Sequence, residues 1–98
     1  MFRRIISRDA GVPWPETSMT TEDWKLIICE FVKINELTAT QPAVLLFALT
    51  EEGSWCGDEY PHVIEWQGEM YLEDGHHRAM RALLLGQETM RARVLRLG

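Results

Sequence analysis

The sequence predicts one compact domain of the α+β class, with a small mixed sheet and two or three helices. Its 98 residues suit a single small domain. Several short runs alternate apolar and polar residues, which is typical of strands with one buried face. Other segments repeat apolar residues every three to four positions, which is typical of amphipathic helices. Short strands mixed with few helices favour a single layered core. We expect this core to contain Leu46, Phe47, Ile64, Leu72, Met80, Leu83 and Val94.

Residues 2–6 alternate weakly and could be a short strand or a docked terminal arm, and the next residues form an irregular loop. Pro13 and Pro15 bracket Trp14, and two prolines so close together exclude a regular helix or strand. We expect Trp14 to pack as an anchor that holds this loop on the body of the domain. The alternative is that its ring contacts a partner chain.

A short helix and a strand follow the arm. Thr20-Thr21-Glu22-Asp23 combines capping threonines with acids, which predicts a helical turn over residues 21–25. The next residues predict a strand through about residue 34, with Trp24, Leu26 and Ile28 on one face. Residues 35–39 are expected to form a turn.

The middle of the chain predicts one helix and one polar loop. Thr40 followed by Pro42 suits a helix start, and the apolar spacing extends the helix to Glu51. Residues 52–61 contain two glycines and several polar residues, which predicts a flexible flap.

The second half predicts a hairpin, a helix and a final strand. Residues 62–66 and 70–73 alternate as two strands, and Gln67-Gly68-Glu69 suits the turn between them. The helix spans residues 76–85, and the last strand spans residues 89–97. Gly75 therefore lies where a strand passes into a helix, a position that uses the conformational freedom of glycine.

Charged and titratable side chains cluster at this junction. The start of a helix presents unpaired N–H groups, and two imidazoles and guanidinium groups beside them would hold an anion. Adjacent helical histidines diverge by about 100°, so we expect one to face the ligand and the other to pack or cap. Asp74 could instead cap the helix, and Arg78 could instead pair with a neighbouring acid. The candidate catalytic residues are Asp74, His76 and His77, and the candidate anion-binding residues are Gly75, His76, His77, Arg78 and Arg81.

The same residues carry a resemblance to a known family. Asp74-Gly75-His76-His77-Arg78 before a short helix, then Gly86 and a strand, resembles the signature of the ParB/sulfiredoxin superfamily. The resemblance covers roughly residues 29–97 of the single domain 1–98 and leaves residues 1–28 as an N-terminal extension. It implies a ParB/sulfiredoxin-like fold that binds a nucleotide phosphate. The sequence does not identify the cofactor, although Asp74 could hold a magnesium ion that accompanies a nucleotide. Since His76 replaces the reactive cysteine of sulfiredoxins, it argues against sulfiredoxin activity.

The charge distribution limits the classes of partner. Residues 1–75 hold five Lys/Arg and fourteen Asp/Glu, and residues 76–98 hold five Arg and one Glu, which gives −9 and +4 and the total of −5. An acidic protein is a poor general binder of nucleic acid. Arg91, Arg93 and Arg96 form either a basic stripe that contacts DNA or the solvated side of an edge strand.

Neither a membrane segment nor a metal site is predicted. No apolar run approaches the roughly 20 residues that span a bilayer, and no signal peptide is evident. Cys29 and Cys56 lack CxxC spacing, which favours reduced thiols in the cytoplasm. The pair His76 and His77 lacks a third ligand at a typical zinc spacing, and His62 with Asp74 could complete a metal site only through folding.

Three functions remain open from the sequence, and none decides whether the protein is an enzyme. The first is a stand-alone domain, of a kind common in phages and mobile elements, that binds a nucleotide phosphate or the DNA backbone, with phosphotransfer or nuclease activity. The second is a catalytically inactive module that binds a host or partner protein, which the four tryptophans favour. The third is a DNA-associated regulator. Tryptophans in or near loops are also compatible with a homodimer.

Overall fold

The computed structural model describes residues 1–41 and 58–98, and in this part of the chain six strands form one mixed sheet beside two α-helices. This architecture confirms the predicted compact α+β class. The strands are β1 (Arg4–Ile5), β2 (Glu30–Lys33), β3 (Leu37–Ala39), β4 (His62–Trp66), β5 (Glu69–Asp74) and β6 (Thr89–Arg96). The helices are α1 (Thr21–Lys25) and α2 (His76–Leu84), and two 3₁₀ turns span Arg8–Ala10 and Ile34–Glu36.

The strands follow the order β1-β3-β5-β4-β6-β2. β3 pairs in parallel with β1 and β5, and β4 pairs in parallel with β6. The pairs β4–β5 and β2–β6 are antiparallel. Among the described strands, β1 and β2 therefore form the edges, and β6 lies inside the sheet. The interpretation of β6 as an edge strand is wrong.

The predicted helix start at Thr20 is confirmed by α1. The Thr20 hydroxyl accepts a hydrogen bond from the Asp23 N–H at 3.1 Å, and the Asp23 carboxylate accepts one from the Thr20 N–H at 3.0 Å. This reciprocal capping satisfies two backbone donors at the helix start. The placement of Leu26 and Ile28 with Trp24 is wrong: Trp24 is buried, whereas Leu26 and Ile28 are 83% and 87% exposed. The chain is helix and then irregular here, so strand alternation does not apply.

The hairpin between β4 and β5 is also confirmed. Gln67 and Gly68 have φ angles of +48° and +79°. Two consecutive positive φ angles define the tight turn whose twist matches a two-stranded hairpin. The turn fixes the register that places Val63 opposite Leu72.

The prediction of a turn over residues 35–39 is wrong at β3. Leu37, Thr38 and Ala39 are fully buried between two parallel neighbours. A strand that is covered on both faces shows no alternation of apolar and polar residues. Three residues are too few for any other periodic signal.

The sheet buries a different apolar cluster on each face. α2 covers the first, which contains Leu72, Met80 and Val94 with Leu83 packed against it. The N-terminal arm and α1 cover the second, where Trp14 packs 5.1 Å from Tyr71 between ring centroids. The prediction that Trp14 anchors the arm is confirmed.

The prediction of one core is therefore wrong for Ile64. Ile64 belongs to the second cluster because consecutive side chains along β4 point to opposite faces. Several predictions fall outside the described residues. They are the core positions Leu46 and Phe47, the helix over residues 42–51, and most of the flap, which includes Trp55 and Cys56. Within the described part, no helix is long and apolar enough to cross a membrane.

Candidate functional site

The junction between β5 and α2 has the predicted geometry. β5 ends at Asp74, α2 begins at His76, and Gly75 between them has a φ of +90°. A Cβ atom at Gly75 would lie 2.7 Å from the Cα of Pro61, closer than real contacts. Glycine is therefore required here by the backbone conformation and by the close approach of the chain before β4.

Asp74 acts locally at this junction. Its Oδ1 accepts a hydrogen bond from the Gly75 N–H at 2.8 Å, and its side chain is exposed. The carboxylate thus holds the turn into α2, and α2 begins without a side-chain cap.

His76 is a buried structural acceptor. It is only 2% exposed, and its Nε2 accepts a hydrogen bond from the Thr40 N–H at 3.0 Å. Burial, with the charge of Arg8 nearby, lowers the pKa of His76 to about 4. The ring is therefore neutral at pH 7, and it joins the start of α2 to the end of β3. Among residues 1–41 and 58–98, its Nδ1 has no hydrogen-bond partner.

Burial does not distinguish a histidine that faces a ligand from one that packs or caps. His76 and His77 are both buried, with 2% and 5% exposure. Neither imidazole is therefore presented to solvent as a ligand for an anion.

Two of the predicted anion-binding residues line an open cleft beside α2. Arg78 and Arg81 line this cleft of about 330 Å³ together with Glu59 and Tyr60. Asp74, Gly75 and His76 are not part of its lining. Of the predicted anion-binding residues, the lining of this cleft therefore contains Arg78 and Arg81.

Arg8 contributes to the junction and was missed by sequence reasoning. Its guanidinium donates to the Thr40 hydroxyl at 2.9 Å and to the Glu73 carboxylate at 3.2 Å. Burial raises the pKa of Glu73, and the Arg8 charge partly offsets this rise. Arg8 lies 65 positions before Glu73 in an arm without a motif, so no local signal marks the contact.

A second cluster of polar groups lies beside the second apolar cluster. Asp58 Oδ2 is 2.6 Å from Arg93 Nε and 2.9 Å from His62 Nε2. Burial would raise the pKa of Asp58, but the hydrogen bonds from Arg93 and His62 outweigh it and hold this pKa well below its usual range. Trp24 stacks on the His62 ring, with centroids 4.3 Å apart. The cluster fastens the chain before β4 to β6 and α1.

The arginines of β6 do not form the continuous basic stripe that the sequence suggested. Arg96 pairs with Glu30 at 2.7 Å and with Glu65 at 2.9 Å, and Arg93 pairs with Asp58. Arg91 instead lies over the Phe31 ring, 5.1 Å from its centroid. Alternation along β6 also places Arg96 on the face opposite to Arg91.

Three exposed apolar side chains lie within six residues of sequence, from the end of α1 into β2. Leu26, Ile28 and Phe31 are 83%, 87% and 66% exposed, and we call these three residues the β2 patch. Single exposed apolar residues are ordinary, but neighbouring ones mark interaction surfaces. Sequence reasoning missed the patch because the alternation around Trp24 predicted burial.

Comparison with known protein families gives a match over nearly the whole chain. A family model described as "Antitoxin VapB-like" matches residues 3–98. No curated protein matches the sequence.

This match overturns the ParB/sulfiredoxin identification, which is wrong. The nucleotide-phosphate or DNA-backbone function, with phosphotransfer or nuclease activity, was drawn from that identification and is wrong with it. The resemblance depended on a few residues around Gly75. In the structure Gly75 allows a close backbone approach and His76 accepts a backbone hydrogen bond, which are packing roles that any strand-to-helix junction can require.

Proposed function

Because the chain belongs to the VapB-like antitoxin family, we propose that it is an antitoxin that binds a partner toxin protein and suppresses the toxin's activity. An antitoxin of this kind acts by occupying a surface of another protein. Its own fold must therefore present a surface whose burial in the complex lowers the free energy.

The β2 patch is the observation that supports this proposal. Leu26, Ile28 and Phe31 are between 66% and 87% exposed in the folded chain. Burying one large apolar side chain contributes about 1.5–3 kcal/mol, and clustered apolar anchors dominate the affinity of protein interfaces. The patch thus supplies the kind of surface that a protein partner covers.

The electrostatics favour a protein partner over DNA. The chain has a net charge of −5, and carboxylates already neutralise Arg93 and Arg96. Binding to DNA is driven by unneutralised cations that displace counterions from phosphates. A cytoplasmic location, as the sequence predicts, is part of the proposal.

A growth screen tests this function and identifies the toxin in the same experiment. Fragments of the source organism's genome are expressed from an inducible promoter in a bacterial host, with and without this chain. We expect at least one fragment that arrests growth alone and permits growth when the chain is present. The product of that fragment should co-purify with the chain.

The control carries the same gene with an early stop codon, which separates the effect of the protein from that of its nucleic acid. The proposal is contradicted if a library that covers the genome several times yields no arrest that the expressed chain relieves.

A further inference from the structure

We propose that the toxin binds by adding an extended segment to the open edge of β2, with an apolar side chain against Phe31 and a carboxylate on Arg91. This inference rests on the proposed antitoxin function and names the contact that carries it. Its occupant is a strand of the toxin with an acidic residue near an apolar one.

The hydrogen-bonding pattern of β2 shows which backbone groups face outward. The Ile34 N–H donates to the Glu88 carbonyl at 3.0 Å, in the same register that pairs Val32 with Met90. In an antiparallel pair, alternate residues bond to the partner strand and the residues between them point away. Glu30 and Val32 therefore bond to β6, and Ile34 bonds to Glu88 just before it. Both backbone groups of Phe31 and the N–H of Lys33 point to the open edge, whereas the Lys33 carbonyl belongs to the 3₁₀ turn Ile34–Glu36.

The hydrogen bonds between β6 and the chain on its other side agree with this alternation. The Arg93 N–H donates to the Pro61 carbonyl at 2.9 Å, on the β4 side of the strand. Odd-numbered residues of β6 thus bond toward β4 and even-numbered ones toward β2. Phe31 and Arg91 accordingly face each other as a non-hydrogen-bonded pair, in which side chains are close.

Arg91 makes this edge favour a partner segment with a negative charge. Among the described residues, Arg93 and Arg96 have carboxylate partners, whereas the Arg91 guanidinium contacts the Phe31 ring. Stacking on a ring leaves the edge of the guanidinium, with its N–H donors, available to a carboxylate. Lys33 is exposed next to it. An acidic segment is therefore the complementary partner.

The other exposed surfaces of the described chain are less suited to binding an extended acidic segment. Arg4 and Arg3 of the β1 edge both pair with Glu69, and β1 has only two residues. Leu84 and Leu85 at the end of α2 are exposed, but the Leu85 N–H is already bonded within the helix. In the described part, only the β2 edge combines open backbone groups with apolar area and a cation. Its short length and its lysine limit non-specific pairing.

Substitution of Lys33 tests strand addition directly. Lys33 has a φ of −82°, which suits proline, and its N–H points away from β6. Lys33→Pro therefore removes an outward donor and leaves the β2–β6 ladder intact. Lys33→Ala is the matched control because it removes the same side chain and keeps the N–H. Calorimetry with the toxin recovered in the growth screen should show Lys33→Pro binding at least tenfold more weakly than Lys33→Ala.

A second pair of variants tests the location of the surface. Phe31 and Leu84 are 66% and 67% exposed, so a charge at either position disturbs folding to a similar, small extent. Phe31→Asp should weaken binding of the recovered toxin about 100-fold or more, and Leu84→Asp should change it less than threefold. Circular dichroism checks that both variants fold.

Hydrogen exchange of the wild-type complex tests the same contact without a variant. The amides of Phe31 and Lys33 should exchange more slowly when the toxin is bound. Unchanged exchange overturns strand addition, as does equal binding of Lys33→Pro and Lys33→Ala. In either case the proposed function stands if the wild-type chain still relieves the growth arrest. Failure of the wild-type chain to relieve any arrest instead contradicts the proposed function itself.

Discussion

His76 shows at the scale of one residue how burial decides what a histidine does. An imidazole beside a helix start has the chemistry of an anion ligand, yet the Nε2 of His76 accepts a hydrogen bond from the Thr40 N–H. Because water is excluded and Arg8 is near, the neutral ring is strongly favoured. A sequence shows the residue type, but not the burial that sets its protonation.

This burial predicts a pH dependence of stability. The pKa of His76 is about 4 in the folded chain, against an ordinary 6.5, so the unfolded chain binds the extra proton between these values. The contribution of His76 is therefore complete above pH 6.5 and is lost as the pH falls toward 4. Relative to His76→Gln, which keeps an acceptor but does not titrate, the wild type should lose about 3 kcal/mol of unfolding free energy by pH 4. Urea unfolding at several pH values measures this difference, and parallel curves for the two proteins would contradict it.

Asp58 is the second residue whose environment has a measurable consequence. Its buried carboxylate bonds to Arg93 and His62, so Asp58→Asn should cost about 3 kcal/mol of unfolding free energy at pH 7. Glu30→Gln is the control, because it breaks an exposed ion pair with Arg96 and should cost less than about 1 kcal/mol.

The sign of the Asp58 effect with pH follows from its lowered pKa. Its contribution is present above the ordinary value of 3.8 and is lost as the pH falls below it. The gap between wild type and Asp58→Asn should thus be constant from about pH 5 to 8 and narrow in more acidic solution. If Asp58→Asn lowers the free energy of unfolding at pH 7 by no more than Glu30→Gln does, the cluster does not stabilise the fold.

At the scale of elements, the β5–α2 junction depends on one glycine. Gly75 has a positive φ, and a Cβ there would meet Pro61 at 2.7 Å. Gly75→Ala should therefore cost about 2 kcal/mol or more through combined backbone strain and overpacking. Gly86→Ala is the matched control: its φ is +76°, but no atom lies within 4 Å of the added carbon, so only about 1 kcal/mol of strain is expected. Thermal unfolding of both variants compares the costs, and equal losses would remove the role assigned to the close approach.

Elements with local chemical signals were predictable, and elements without them were not. Thr20 and Asp23 cap α1, and Gln67-Gly68 closes the β4–β5 hairpin, so residues near in sequence determine these structures. β3 is three buried residues between parallel neighbours, and only the finished sheet specifies it.

The candidate site was harder to predict than the fold because its contacts join distant parts of the chain. Arg8 meets Glu73, and Asp58 meets Arg93, and neither pair has a sequence signature. The contact with Asp58 also neutralises Arg93, which the sequence alone presents as part of a basic stripe. The β2 patch likewise follows from the irregular chain after α1, which places Leu26 and Ile28 in solvent.

At the scale of the whole molecule, the two faces of the sheet are used for packing, and the proposed binding surface is an edge of the sheet. α2 covers one face, and the arm with Trp14 and Trp24 covers the other, so both faces are used for packing. In the described part of the chain, the β2 edge then carries the exposed apolar patch beside open backbone groups. An antitoxin built in this way would bind through an edge of the sheet and not through a pocket.

Direct titration of the purified chain with the purified toxin from the growth screen tests the central claim that this protein is a toxin-binding antitoxin. We predict saturable binding with a Kd at or below about 1 μM, which corresponds to about 8 kcal/mol. Phe31→Asp should weaken this binding and lose the relief of growth arrest in parallel, and Leu84→Asp should retain both. Relief of growth arrest by the chain without measurable binding at about 100 μM would contradict the claim.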